Sequence, residues 1–449
     1  MEDATADVLV LGAGAAGLAA AQELSQAGLH VTVIEARDRI GGRIFTQHVP
    51  GHPLPIELGA EFIHGRPPES FTLAERAGLL VYEVNGASWL AQNSQLAPSA
   101  ELWEQTDQLF AQMASAVDPD RSFQSFLARF QNDPAWRDAA AMAASYVEGF
   151  DAADIGNASV QALLREQRAS AISDGDRAFR IVQGYDQFVA ALAAKSELSR
   201  VSIQLGVIAQ RVIWQPGHVE VQTEGIGGSG SRSFNARQAV ITLPLGVLQA
   251  PPEARGAVQF QPALAEHAAA ARKLAVGQVV KINLRFRERF WEHERLPLAD
   301  VSMEPRQVSF IYGPGAALPT WWTAYPAMAP QLTGWVGGPP ATRLVGQPER
   351  AVVDLALDTL AHILGLPHQR IEGALLGAYI HNWHADAFAR GAYSYVPVNG
   401  LDAVRALAAP VEGTLFFAGE ATNSEGHTGT VHGAIATGRR AAREILAAT

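Results

Sequence analysis

Residues 6–43 read ADVLVLGAGAAGLAAAQELSQAGLHVTVIEARDRIGGR, and this stretch decides the fold. Val8–Leu11 is a short, wholly apolar run of the kind buried in a parallel sheet. Gly12, Gly14 and Gly17 follow in the spacing G-x-G-x-x-G. The first glycine permits a tight turn, the second lets a pyrophosphate touch the backbone, and the third lets a helix pack on its strand. A helix beginning near Ala15 turns the N–H groups of Ala15 and Ala16 and its positive dipole end toward the phosphates, and Gly28 is its C-cap. His30–Ile34 alternates as the second strand. Glu35 ends it, 18 residues beyond Gly17, where a carboxylate accepts hydrogen bonds from the adenosine ribose and repels a 2′-phosphate. The spacing predicts a dinucleotide site other than NADP and leaves NAD against FAD open.

Arg37-Asp38-Arg39-Ile40-Gly41-Gly42-Arg43 continues directly from the acidic strand end. Two glycines make a turn, and Arg43 is either a solvated surface arginine or a cation that pairs with a diphosphate. With fingerprint, Glu and G-G-R in succession, the chain resembles the flavin-containing amine oxidases, which include monoamine oxidases, polyamine oxidases and flavin-type lysine demethylases. The resemblance implies FAD, held by Gly12, Gly14, Ala15, Ala16, Gly17, Glu35, Ala36, Arg37, Gly42 and Arg43. Glu57–Gly65, ELGAEFIHG, is similar to the family's segment beside the flavin ring and adds Gly59, Ala60, Glu61 and Phe62.

The 449 residues can hold two or three domains' worth of core, and 48% hydrophobic content describes a globular chain. A net charge of −11 without a basic run argues against nucleic acid and favours cationic substrates. The absence of cysteine excludes disulfides, thiolate metal sites, a thiol nucleophile and a cysteinyl-flavin link. The apolar run Val8–Ala21 lacks a basic start and falls short of the about 20 residues that span a membrane. A cytoplasmic enzyme without a membrane span is expected.

Further along, Glu69–Ala77 reads as a helix, and Leu102–Ala169 as a helical region interrupted at Pro119 and Pro134. Within it, Glu148 sits among aromatics in Tyr146–Phe150, either an exposed helix-end residue or a partner for a substrate ammonium. Val201–Ile213 and His218–Thr223 form a hairpin around Pro216-Gly217, Gly225–Ser233 is a loop, and Ala239–Leu243 is another buried strand. The resemblance puts Val207 on the adenine side of FAD. In Val279–Phe286, Ile282, Leu284 and Phe286 share one strand face, and Lys281, Asn283, Arg285 and Arg287 share the other. Periodicity makes Lys281 part of a solvated face. The resemblance of VVKINLRFRERFW instead implies a lysine that contacts flavin N5 through a water. Arg350–Gly365 is an amphipathic helix. His381 and His384 have the spacing of metal ligands only on a helix, which nothing there suggests, so no metal is expected.

Arg390–Tyr395, RGAYSY, resembles the segment before the last FAD-binding unit. Ala392 stands where monoamine oxidases carry the cysteine bonded to flavin, which implies noncovalent FAD, and Tyr393 becomes one wall of the aromatic cage. A strand at Thr414–Phe417 leads to Gly419 and Glu420, the latter expected on a ribityl or ribose hydroxyl. A final helix starts near Thr430 and Val431, whose N–H groups would stabilise negative charge on the flavin. The second cage aromatic falls at Thr430, which widens the pocket.

The expected fold class is α/β (α+β overall): a Rossmann-like FAD-binding domain from residues 1–66, 190–250 and 388–449, and a substrate domain of mixed or antiparallel sheet and helices from 67–189 and 251–387. The resemblance implies an FAD-dependent amine oxidase, with Lys281, Tyr393 and His64 catalytic and Phe62, His64, Glu148, Tyr393 and Thr430 at the substrate. Dioxygen would be reduced to hydrogen peroxide. L-Amino-acid oxidases, desaturases and protoporphyrinogen oxidases share the fold and stand as alternatives, as does a demethylase-like interaction protein. Phe62 occupies the place of the arginine that pairs with an amino-acid carboxylate, although Arg66 or Arg285 could substitute. With Glu61 and Glu148 as ammonium partners, a carboxylate-free amine is favoured, a polyamine or diamine among them. Oligomeric state is left open.

Overall fold

The computed structural model describes residues 6–92, 94–115, 118–194, 200–228, 230–300 and 302–448. The first strand, β1 (Val8–Leu11), is wholly buried, and α1 (Ala15–Gln26) and β2 (Val31–Ile34) follow as the sequence predicts. Gly12 takes φ +108°, open to glycine and strained for any other residue, and so turns the chain into α1. A Cβ on Gly17 would stand 1.9 Å from the Gly12 carbonyl oxygen, so the helix lies against its strand only because residue 17 has none. Gly28, at φ +94°, ends the helix.

β1 is the middle of a five-stranded parallel sheet ordered Val201–Gln204, β2, β1, Gln238–Ile241, Leu415–Phe417. Three distant parts of the chain therefore share one sheet. α1 is buried nearly all round because it is enclosed by the helices Tyr185–Ala194 and Val431–Ala448, and its alanines admit this close packing.

A second, seven-stranded sheet runs Leu375–Ile380, Val279–Phe286, Gln331–Gly337, Thr320–Thr323, Val308–Tyr312, Ala87–Gln92, Gln95–Pro98. It is antiparallel except where Val308–Tyr312 runs parallel to Ala87–Gln92, so it is mixed as expected. The helix Glu349–Leu364 packs on its core. Four helices between Ala100 and Ile172 form a separate cluster around Phe123 and Phe126.

Three differences from the sequence reading have local causes. Gly206, at φ +70°, divides the expected strand Val201–Ile213 into Val201–Gln204, which joins the parallel sheet, and Val207–Gln215, which pairs with His218–Gly225. The strand Ser231–Ala236 begins inside the expected Gly225–Ser233 loop, because its backbone completes the edge of that hairpin. Residues 251–276, read as substrate-domain chain, pack on the dinucleotide side. Gln259–Gln261 pairs with Val207–Gln215, the helix Ala265–Arg272 lies against Leu401–Ala408, and Ala275–Val276 pairs with Ser394–Tyr395.

Candidate active site

A cavity of about 530 Å³ runs from the glycine turn to the seven-stranded sheet. At its dinucleotide end the Ala13 N–H and Arg37 N–H donate to the Glu35 carboxylate at 2.8 and 2.9 Å. Burial pushes the Glu35 carboxyl up, against those two hydrogen bonds and the nearby Arg37 and Arg39. Arg37 is locked by both oxygens of Asp386 at 2.8 Å, and His381 reaches the same carboxylate at 2.8 Å. That engagement accounts for His381, and no group of three His, Asp or Glu side chains able to hold a metal occurs among the described residues.

Two features fit a dinucleotide such as FAD. A Cβ on Gly14 would meet no atom within 4 Å and would project into free space. Gly14 also gives α1 no side-chain cap, leaving the N–H groups of its first turn to a ligand. Arg43 sits farther along, its Nη1 donating to the Ala392 carbonyl at 2.7 Å and to Glu420 Oε1 at 2.8 Å. Glu420 Oε2 accepts from Ser394 Oγ at 2.6 Å and from the Gly429 N–H at 3.0 Å, so this acid, read as a contact for a cofactor hydroxyl, chiefly joins Arg43 to the C-terminal segment. Thr430 lines the cavity, but its hydroxyl caps the final helix, accepting from the Gly433 N–H at 3.0 Å and donating to the His427 carbonyl at 2.8 Å.

Of the residues expected from the sequence to hold FAD, to act in catalysis or to meet the favoured amine, all but Gly17 and Glu148 line this one cavity. Gly17 serves packing, as above. Glu148, half-buried on the helix Arg137–Phe150, does not line the cavity and has Asp154 and Arg343 as its charged neighbours. The helix stops at Phe150, and the residues that reach the cavity are Tyr146, Gly149, Phe150 and Asp151.

The solvated-face reading of Lys281 and Asn283 is overturned. Lys281 is 4% exposed and Asn283 fully buried, because this face of the strand is covered by residues 57–61. Lys281 Nζ contacts Glu61 Oε2 at 2.7 Å and donates to the Gly59 carbonyl at 3.0 Å. Glu61 Oε1 meets Arg180 Nε at 2.8 Å and accepts from Trp322 Nε1 at 3.0 Å. Although burial opposes ionisation, Lys281 and Arg180 hold the Glu61 carboxyl below its usual range. Flanked by two cations, Glu61 is not the free ammonium partner that the sequence suggested. Arg66 stacks over Phe71, 4.7 Å from its centroid, and neither it nor Arg285 lines the cavity.

Beyond Lys281 the walls are aromatic. Trp103, Tyr146, Phe150, His64, Phe62, Phe310 and Tyr312 close a ring in which successive centroids lie 5.0–6.1 Å apart. Burial lowers the His64 imidazole to about 4, so it is neutral at pH 7. Tyr393 donates from its hydroxyl to the Phe150 carbonyl at 2.5 Å, which ties the C-terminal segment to the helix end. Beside Tyr146 stand Asp151 and Glu166, both lining the cavity and neither in an ion pair among the described residues. Burial raises Asp151 to about 7 and, with the Asp151 charge beside it, raises Glu166 well above its usual range. The sequence reading missed this acid pair, whose members come from a helix end and from the separate helix Val160–Ile172.

Comparison with known proteins agrees with this geometry. The profile of the flavin containing amine oxidoreductases matches residues 15–88 and 83–446. Polyamine oxidase 3 of Oryza sativa subsp. japonica is 30% identical over 98% of this chain and 89% of its own. Putrescine oxidase, solved with putrescine bound, superposes with a TM-score of 0.80 at 21% identity, covering 99% of both chains. Cyclohexylamine oxidase from Brevibacterium oxydans IH-35A does so at 0.79 and 21%, covering 98% of this chain and 99% of its own. Cavity, glycine cradle and matched profile together make this chain a member of the flavin-containing amine oxidoreductases, an amine-oxidising enzyme family.

Proposed function

We propose that this enzyme binds FAD noncovalently and oxidises a carboxylate-free amine, a diamine or polyamine being the favoured class, with dioxygen reduced to hydrogen peroxide. One observation carries the substrate class. Among the described residues, each of the three Lys and Arg side chains that line the cavity, Arg37, Arg43 and Lys281, already faces a carboxylate, whereas the acids Asp151 and Glu166 face no cation. A substrate carboxylate would be buried without a partner, at a cost of several kcal/mol. A second ammonium beyond the aromatic ring would instead neutralise the acid pair. Relatives named for polyamines, putrescine and cyclohexylamine, all carboxylate-free amines, support the same class.

The chemistry supplied by bound FAD would be acceptance of a hydride equivalent from the amine α-carbon and transfer of the electrons to dioxygen. Gly12, Gly14, Glu35 and Arg43 would hold it, with the start of the helix Val431–Ala448 supplying a positive dipole end. Ala392 offers no nucleophile for a covalent link. The chain's own contribution is a slot lined by Phe62, Trp322, Trp335 and Tyr393 that excludes water and orients the amine carbon. Lys281 donates to the Gly59 carbonyl and pairs with Glu61, which leaves an N–H for a water in the cavity. His64, uncharged, presents no repulsion to a cationic substrate.

The test is a peroxide assay at matched concentrations of putrescine, spermidine, spermine, cyclohexylamine and several L-amino acids. The highest kcat/KM for an L-amino acid would overturn the assignment.

A further inference from the structure

Lys281 is not alone in the wall of the cavity. Its ammonium, the Glu61 carboxylate and the Arg180 guanidinium form a row of alternating charge, with contacts of 2.7 and 2.8 Å. All of it is buried, Lys281 to 4% exposure and Arg180 to 6%. Arg180 comes from the strand Ala178–Ile181, far in sequence from both partners, and is fixed from behind by donation from Nη1 to the Thr323 carbonyl at 3.0 Å. Trp322 Nε1 fixes the same Glu61 oxygen that Arg180 contacts.

The other titratable groups that face this row are Glu57 and Tyr82. Burial raises the Glu57 carboxyl to about 7, against hydrogen bonds from Thr46 and the Tyr185 N–H. Glu57, Tyr82, Arg180 and Glu61 border a small cavity of about 30 Å³, room for one water. Arg180 Nη2 makes no hydrogen bond among the described residues and is the natural donor to that water.

We propose that Glu61 and Arg180 are positioning residues that set the charge and aim of Lys281, Glu61 holding it as an ammonium with one N–H directed into the cavity and Arg180 limiting how firmly. The idea rests on the role given above to Lys281. The two neighbours act in opposite senses. An anion at contact distance favours a buried ammonium, and a cation on the far side of that anion disfavours it. Loss of Glu61 leaves two cations facing each other, so Lys281 sheds its proton more readily. Loss of Arg180 leaves Glu61 to Lys281 alone, so the proton is held more tightly. A purely structural role predicts no such reversal of sign.

The chain has three lysines, and exposed Lys273 serves as an internal reference. Reductive methylation with formaldehyde reacts only with neutral amines, and Lys281 lines a cavity that a small aldehyde can enter. Holoenzyme is labelled across a pH series and the ratio of Lys281 to Lys273 methylation read by peptide mass spectrometry, with the visible flavin spectrum confirming retained cofactor. Glu61→Gln should move the Lys281 labelling curve down by about one pH unit or more, and Arg180→Gln should move it up. The alkaline limb of kcat should follow in the same two directions. Curves that do not move, or that move the same way in both variants, overturn the proposal. If Glu61→Gln does not fold, the direction in Arg180→Gln still decides. Lys281→Met separates the two readings: unimpaired amine oxidation there removes the role of Lys281, whereas an unmoved labelling curve removes only the roles of Glu61 and Arg180.

Discussion

Replacing Asp151 by asparagine sets stability against binding at a single atom. Burial raises this carboxyl from 3.8 to about 7. The folded protein keeps the proton up to about pH 7, whereas the unfolded chain releases it near 3.8, so the group's contribution to stability is full below that lower value and is lost as pH rises toward 7. The interval is equivalent to about 4 kcal/mol, an upper bound on the cost of the buried carboxylate at pH 8. Asparagine is itself buried there, and Glu166 loses a like-charged neighbour, so the expected net gain is about 1–3 kcal/mol at pH 8, vanishing near pH 4. By differential scanning calorimetry Tm should rise by a few degrees at pH 8 and stay unchanged in acid. The same substitution removes half of the site offered to a second ammonium. KM for putrescine should rise at least about tenfold, ~1.4 kcal/mol, while KM for cyclohexylamine, with no second ammonium, stays within about threefold. An equal rise for both amines, or a lower Tm at pH 8 with no change in KM, would refute the reasoning.

Acid precipitation of the purified enzyme should release all its colour as free FAD, because Ala392 cannot bond to it; yellow protein in the pellet contradicts this. Lys281→Met should keep FAD bound, by absorbance, yet slow amine oxidation at least about tenfold, ~1.4 kcal/mol of barrier, in stopped flow. Gly14→Leu places a side chain where the structure leaves space for phosphates, so it should purify folded by circular dichroism but without flavin; retained flavin would move the dinucleotide elsewhere. Asp151 takes up its proton as pH falls through about 7, and Glu166 is raised in the same direction, so KM for a diamine should rise more steeply than KM for a monoamine between pH 8 and 6; parallel profiles would separate diamine binding from Asp151 and Glu166.

What could be read from the chain is what is written contiguously. The dinucleotide turn lies within about forty residues, and each of its parts obeys a local rule of period, φ or close approach. Lys281 had the right alternation but the wrong solvent: period two says which residues share a face, not whether residues 57–61 cover it. Glu148 and Asp151 are separated by less than one helical turn. Which of them meets the cavity depends on where the helix Arg137–Phe150 ends, and element ends are poorly fixed by propensity. Arg180 gave no signal at all, since its partner Glu61 lies on a strand-like segment more than a hundred residues earlier. The boundary at 250 was drawn shortly after the buried strand Ala239–Leu243, but Gln259–Gln261 returns by parallel pairing, which no short-range pattern announces.

The order of the parallel sheet has a consequence for how the enzyme is made. Its central strand, β1, leaves the ribosome long before the edge strand Leu415–Phe417. The helix that closes over α1 comes later still, with Gly438 so close to Ala16 that a Cβ would lie 2.1 Å from its carbonyl oxygen. Until those segments emerge, a nascent chain carries a complete glycine fingerprint without the walls that turn it into a binding site. Cofactor capture therefore waits on these later segments, and apolar β1 must be kept from other partners until they arrive. Ribosome-bound chains stalled before Leu415 should retain no flavin, and the same chains released at full length should acquire it.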